Sequence, residues 1–200
     1  MQYAIVLIFG YLIGCFSTAD LVGRLHHTRI QKQGTGNLGA SNVTVVLGWK
    51  MGILVGAVDI AKGAFATLTT LLCTSWNLNL GLLAGCACIL GHMFPFYLKF
   101  HGGKGFATMI GVLFGFDWKF ALLTVLFIVM ITWITDYIVM ATLTTAILFS
   151  MRAYIRTASL FPLLFVIPLV LVMFFKHRSN LYRIFIGKSG EVRLSMLLHK

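Results

Sequence analysis

The chain has 200 residues, of which 59% are apolar and 10% charged, with sixteen Lys and Arg against five acids. Soluble domains carry about 25% charged residues, so no water-soluble fold of this length could hide so much apolar surface. Lipid must be the solvent for most of the chain. The formal net charge of +11 does not point to nucleic acid, because the basic residues lie between long apolar runs. It fits instead a bias of positive loops toward one membrane face and anionic partners there.

A spanning helix needs about 20 predominantly apolar residues. Residues 3–23 form the first candidate. No Lys or Arg precedes Arg24, so the basic start of a cleaved signal is missing and a spanning helix is expected. A polar, Gly-rich stretch follows from Arg24 to Lys50. Spans are expected at about 52–73 and 79–98, joined by the uncharged loop Thr74 to Asn77. A short basic loop runs from Lys99 to Lys104. Residues 105–116 are apolar but short, about 18 Å at helical rise. Residues 119–134 and 138–151 come next, split at Thr135-Asp136-Tyr137, and a last span is expected over 159–175, with a basic tail from Lys176.

Charge decides whether 105–116 crosses. If it does, Arg24, Arg29, Lys32, Lys50, Lys99, Lys104 and the six Lys and Arg from Lys176 onward share one side, against Lys119, Arg152 and Arg156. That is twelve against three. If it does not, the split is nine against six. The positive-inside rule favours the first. The fold expected is therefore an all-α integral membrane protein. It has seven transmembrane helices, a short fourth one, the N-terminus outside and the C-terminus in the cytoplasm. One membrane-embedded domain covers 1–200.

Cys15, Cys73, Cys86 and Cys88 lie in or beside apolar runs, with no metal spacing and no disulfide framework. Asp59 and Lys62, at i and i+3 in an apolar helix, are expected to pair, and Asp20 to take a basic loop residue. His92 is expected to pack between helices and hydrogen-bond a neighbour.

Three segments carry chemistry. Gly34-Thr35-Gly36-Asn37-Leu38-Gly39-Ala40-Ser41-Asn42 formally contains GxGxxG, but a membrane helix precedes it where a dinucleotide fold needs a strand. Its glycines still allow backbone N–H groups to approach an anion, and the following helix start adds partial positive charge. Gly102-Gly103-Lys104-Gly105 places one ammonium among permissive backbone positions at a helix start, which suits a phosphate. Lys176-His177-Arg178-Ser179-Asn180 begins where the last span is expected to end, with His177 and Asn180 on one helix face. Phosphate-type loops beside lipid suggest an enzyme with one phosphorylated and one apolar substrate. No His has an Asp five residues away, which excludes the acyltransferases that use such a pair.

These residues resemble the bacterial acyl-phosphate:glycerol-3-phosphate acyltransferases, PlsY. The family's GSGNxGAxN stands here as GTGNLGASN, its D-x-x-KG as Asp59-Ile60-Ala61-Lys62-Gly63, and its GHxFPxFxxFxGGKGxAT as Gly91 through Thr108. Its HRxNIxRxxxGxE stands as His177 through Gly187, with Glu191 displaced. The resemblance implies acyl transfer from acyl phosphate to the 1-hydroxyl of glycerol 3-phosphate, giving lysophosphatidic acid and phosphate, without cofactor or metal. It implies an inner-membrane enzyme with its site facing the cytoplasm. Lys104, Thr35, His177 and Asn180 are the catalytic residues it implies. Gly34, Gly36, Asn37, Gly39, Asn42, Gly102, Gly103, Gly105 and Arg178 are the phosphate and substrate contacts. The chain departs from the family at Val45, where Arg is usual, and at Asp136 and Val139, where Arg and Ser are usual. The alternatives are a relative with another acceptor or lost activity, and a small membrane transporter or lipid-binding protein.

Overall fold

The computed structural model describes residues 1–186 and Ser195; Gly187 and Glu191 of the last motif lie outside them. Among the described residues the chain forms nine α-helices. These are α1 (Gln2–Cys15), α2 (Thr18–Leu25), α3 (Ala40–Leu47), α4 (Trp49–Cys73), α5 (Leu78–Met93), α6 (Phe106–Phe116), α7 (Trp118–Thr135), α8 (Ile138–Thr157) and α9 (Leu163–Phe185). Short 3₁₀ turns lie at Ile30–Lys32 and Phe96–Leu98.

Six stretches are long and apolar enough to cross a membrane: Gln2–Leu25, Trp49–Cys73, Leu78–Leu98, Trp118–Thr135, Ile138–Thr157 and Leu163–Phe185. The shorter α6 is apolar as well. Leucines, phenylalanines and tryptophans stand exposed along α1, α7 and α9, which lipid accommodates and water does not.

The sequence treats residues 3–23 as one span, but the helix breaks at Phe16-Ser17. Ser17 caps α2 by accepting the Asp20 N–H at 3.3 Å. The carbonyls freed at the break find donors: the Cys15 oxygen accepts from the Tyr97 hydroxyl at 2.9 Å, and the Phe16 oxygen from the Lys62 ammonium at 2.8 Å. A broken helix persists in a membrane only when such groups are satisfied inside the protein. Asp20 takes Arg24 at 2.8 Å.

Helix α5 is buried on nearly every side, from Leu80 to Met93, and is the axis of the bundle. It is apolar all round, as a central helix must be. Short α6 lies against α4 at a close crossing. A Cβ on Gly63 would strike the Thr108 carbonyl, and one on Gly111 the Ile60 carbonyl. Small residues at such a crossing let two backbones approach and pack without a hydrophobic drive. α6 thus contributes Met109, Val112 and Leu113 to the main apolar core, with Phe149 of α8 and Met173 of α9.

The last two helices outrun their expected spans. α8 continues to Thr157, and α9 to Phe185. The second extension keeps His177 and Asn180 on one rigid helix.

Candidate active site

One end of the bundle encloses a cavity of about 100 Å³ between the first Gly-rich loop, the start of α6, the start of α8 and the last third of α9. Thr35, Asn37, Gly39, Asn42, Lys104, Gly105, His177 and Asn180, all marked by the sequence motifs, line it. They come from positions more than 140 residues apart and meet because α5, α6 and α9 pack side by side. Two helix N-termini point at this space. α3 begins after Gly39 and α6 after Gly105, and neither has a side-chain cap. The first-turn N–H groups of a helix lack intrahelical partners and carry partial positive charge, so both ends favour an anion. Gly105 holds φ at 89°, which turns the chain into α6 immediately after Lys104.

Lys104 donates a hydrogen bond to the Asn180 side-chain oxygen, which ties the loop to α9. Lys176, one turn before, donates to the Met93 carbonyl at 2.7 Å and to the Gly103 carbonyl at 3.1 Å, and lies 4.4 Å from the Phe94 ring centre. It straps the loop to α9 a second time. His177 Nδ1 lies 2.8 Å from the Met173 carbonyl. A carbonyl can only accept, so Nδ1 carries the proton and a neutral His177 keeps an acceptor at Nε2.

Beneath the loop lies a buried group that the sequence reading only half anticipates. The Asp59–Lys62 pair forms, at 2.7 Å. Lys62 also approaches His92 Nδ1 at 2.9 Å, and His92 Nδ1 is 3.4 Å from the Asp59 carboxylate. His92 does pack between helices with a hydrogen-bonded neighbour. Both Asp59 and His92 nevertheless line the cavity, so they belong with the site. Lys62 donating to Nδ1 leaves the imidazole proton on Nε2, the atom that sits under Gly103. The signal was available: ionisable residues within membrane helices are costly and mark functional sites.

Several expectations need correction. The N–H groups of Gly102 and Gly103 do not face the cavity as phosphate donors. They donate to the Met93 and His92 carbonyls, each at 3.1 Å. These glycines are small because α5 is close: a Cβ on Gly102 would strike the His92 carbonyl, and one on Gly103 the His92 Nε2. Neither glycine lines the cavity. Gly34 and Gly36 also stand behind it, at φ 57° and 72°, shaping the turn. The Gly36 N–H donates to the Gln33 carbonyl at 2.9 Å. Asn42 lines the cavity, but its amide is occupied within the loop. It accepts from the Thr35 N–H at 2.7 Å and donates to the Gln33 and Ile30 carbonyls at 3.1 and 3.3 Å. It organises the loop. Arg178 faces away, exposed, donating to the Phe175 carbonyl at 2.9 Å and stacked 3.8 Å from the Phe175 ring centre.

Of the departures from the family pattern, Val139 lines the cavity and Val45 does not. Thr142 lines it one turn beyond Val139 and keeps a hydroxyl there, bonded to the Ile138 carbonyl at 3.1 Å. The Asp136 carboxylate takes both the N–H and the hydroxyl of Ser195, at 2.8 and 2.7 Å.

Fold and cavity together define an integral membrane protein with a lysine-bearing cavity at one end of the bundle, onto which two helix N-termini open. Comparison with known proteins narrows this. Residues 4–187 match the model of the glycerol-3-phosphate acyltransferase family. Glycerol-3-phosphate acyltransferase 1 of Oceanobacillus iheyensis is 35% identical, over 100% of this chain and 99% of its own length. The Aquifex aeolicus glycerol-3-phosphate acyltransferase is 31% identical over 94% and 98%. Crystal structures of PlsY (YgiH), an integral membrane glycerol 3-phosphate acyltransferase, superpose with TM-scores of 0.89 for the glycerol 3-phosphate form and 0.85 for the lysophosphatidic acid form. Each is 28% identical and covers both chains completely. The chain belongs to the glycerol-3-phosphate acyltransferase family.

Proposed function

We propose that this chain transfers a fatty acyl group from acyl phosphate to the 1-hydroxyl of glycerol 3-phosphate, giving lysophosphatidic acid and phosphate, an early step of phospholipid synthesis. The observation that carries this reading is the placement of Lys104 between two uncapped helix starts, in a cavity shared with His177 and Asn180. Two phosphorylated substrates need that concentration of positive charge. Acyl phosphate is a mixed anhydride with a good leaving group, so positioning and charge neutralisation supply most of the catalysis. The hydroxyl oxygen attacks the acyl carbon, the bond to phosphate oxygen breaks, and the hydroxyl proton ends on the departing phosphate. Lys104 and the helix starts hold the phosphate as its charge grows. His177 Nε2 accepts a hydrogen bond from the attacking hydroxyl. Thr35 and Asn37 orient the acceptor.

The same reading makes the molecule one membrane-embedded domain of seven crossings in the cell's inner membrane, with α6 as the short fourth. Its N-terminus is outside and the cavity faces the cytoplasm, where glycerol 3-phosphate is found. The twelve-to-three division of basic residues supports it.

The test supplies purified protein in detergent with an acyl phosphate and follows phosphate release with and without glycerol 3-phosphate. Release should depend on glycerol 3-phosphate and fall at least roughly 100-fold in Lys104→Ala, the loss of one transition-state charge contact. Release that ignores glycerol 3-phosphate overturns the acceptor assignment. A second reading, a relative with another acceptor, draws on Val139, which leaves the α8 wall of the cavity without the usual hydroxyl. Installing Val139→Ser at the cavity wall separates the two. An unchanged KM for glycerol 3-phosphate means the native acceptor site is complete, and a large fall means it is weakened.

A further inference from the structure

The end of the bundle opposite the active site carries a second cationic cavity that the acyl transfer does not use. It lies where α6 meets α7 and α8 ends, about 16 Å along α6 from Lys104 at helical rise. Its volume is about 640 Å³. Among the described residues that end of the molecule has three basic side chains, Lys119, Arg152 and Arg156, and all three line this one space. Membrane proteins keep Lys and Arg scarce on one side, so convergence of every such cation there calls for an anion.

Asp117 is the single carboxylate among them. It caps α7 by accepting the Phe120 N–H at 3.2 Å, and Arg152 Nε donates to it at 2.9 Å. Arg156 Nε reaches the same oxygen only at 3.6 Å, with half of its side chain exposed. The Lys119 ammonium sits 5.7 Å from the Trp118 ring centre. One carboxylate against three cations leaves two positive charges in excess, on Arg156 and Lys119.

We propose that this cavity binds the phosphate headgroup of an anionic membrane phospholipid, with Arg156 and Lys119 on the phosphate and the acyl chains running down the α4–α6 face. The shape argues for a lipid over a free anion. Trp76 and Trp118 stand more than half exposed at the rim, where interfacial tryptophans anchor a membrane protein. Below the cations the wall is Leu68 and Phe114, both apolar. Cations above an apolar wall match a headgroup above its chains. An arginine engages a phosphate through two parallel N–H donors, which a carboxylate at 3.6 Å leaves free to rotate inward.

The experiment titrates the full-length protein in neutral detergent with phosphatidylglycerol and follows the thermal unfolding midpoint. Phosphatidylcholine and inorganic phosphate are titrated in parallel. Phosphatidylglycerol should raise the midpoint and phosphatidylcholine far less, while any rise from inorganic phosphate, which the active site also takes, should be the same in the parent and in a variant of the second cavity. The Lys119→Gln/Arg156→Gln double variant should weaken half-saturation by phosphatidylglycerol roughly tenfold, as expected for two lost charge-assisted contacts. Its acyl transfer in lipid-free detergent should match the parent. If the double variant does not fold, Arg156→Gln alone serves, since Asp117 keeps Arg152 and the α7 cap. An unchanged titration in the variants, an equal effect of phosphatidylcholine, or an inorganic-phosphate response that the variants weaken as much as the phosphatidylglycerol response would each overturn the proposal.

Discussion

At the scale of single residues, the site shows how a backbone motif can be correct in place and wrong in role. Gly102 and Gly103 are small so that the loop can lie on α5, and their N–H groups are spent on α5 carbonyls. A glycine in a sequence announces permissive backbone but not which neighbour uses it. The same limit hid Arg178, whose charge suits phosphate but whose helix position turns it outward. Lys104, His177 and Asn180 were legible because a lysine among glycines at a helix start, and a His and Asn one turn apart, constrain direction as well as type. The Asp59–Lys62 pair was legible from spacing alone, whereas its third member, His92, depends on how α4 meets α5. Removing one partner of a buried ion pair strands the other charge, at about 3–5 kcal/mol, while replacing both with apolar groups is often nearly neutral. Asp59→Asn should therefore lower the unfolding midpoint steeply, and Asp59→Leu/Lys62→Met should recover only part of it, because the Phe16 carbonyl and His92 Nδ1 lose their Lys62 donor. Activity should not recover in the double variant, because the His92 tautomer beneath Gly103 is no longer set. Thermal unfolding and kcat measured together check both halves.

Whole elements were legible where apolar runs were long and blurred where helices ran on into polar sequence. The spans in α4, α5 and α7 were placed to within a few residues, because turn residues bound them. α8 and α9 extend past their apolar windows because polar residues such as Arg152, Arg156, Lys176 and Arg178 continue a helix as readily as apolar ones. α1 and α2 read as one helix because a break satisfied by distant donors has no local composition. The junction of α6 and α7 supports a pH prediction. Burial lifts the Asp117 carboxyl, but hydrogen bonds from Arg152 and the Phe120 amide outweigh it and hold it below the ordinary carboxylate range. A carboxyl held low in the folded state stabilises fully above its unfolded pKa, about 4, and progressively less as pH falls below that. Asp117→Asn should thus unfold at a lower temperature than the parent at pH 7, by about 1–3 kcal/mol in stability. The difference should shrink below about pH 4. A series of thermal melts against pH measures it.

For the molecule as a whole, the division of charge is the main argument for seven crossings, and the protein carries its own reporter. Cys73 is exposed at the end of α4, while Cys15, Cys86 and Cys88 are buried. In intact cells a membrane-impermeant maleimide should label Cys73 from outside. Arg183→Cys in a Cys73→Ser background should label only after permeabilisation. The reverse pattern would invert the topology and move the cavity to the other face. One interior feature also bears on how the bundle is made. The Phe16 carbonyl at the helix break is satisfied by a lysine 46 residues later. At ribosomal rates of about 5–20 residues per second, that donor is synthesised roughly 2–9 s after the break itself. Until then the first hairpin arm must keep its open carbonyl in contact with water or the insertion machinery, and cannot settle fully into lipid. Arrival of α4 supplies the donor for Phe16, and the Cys15 carbonyl waits longer still, for the Tyr97 hydroxyl beyond α5; slowing elongation between α1 and Tyr97 should therefore prolong the interval in which the nascent chain is vulnerable to membrane proteases.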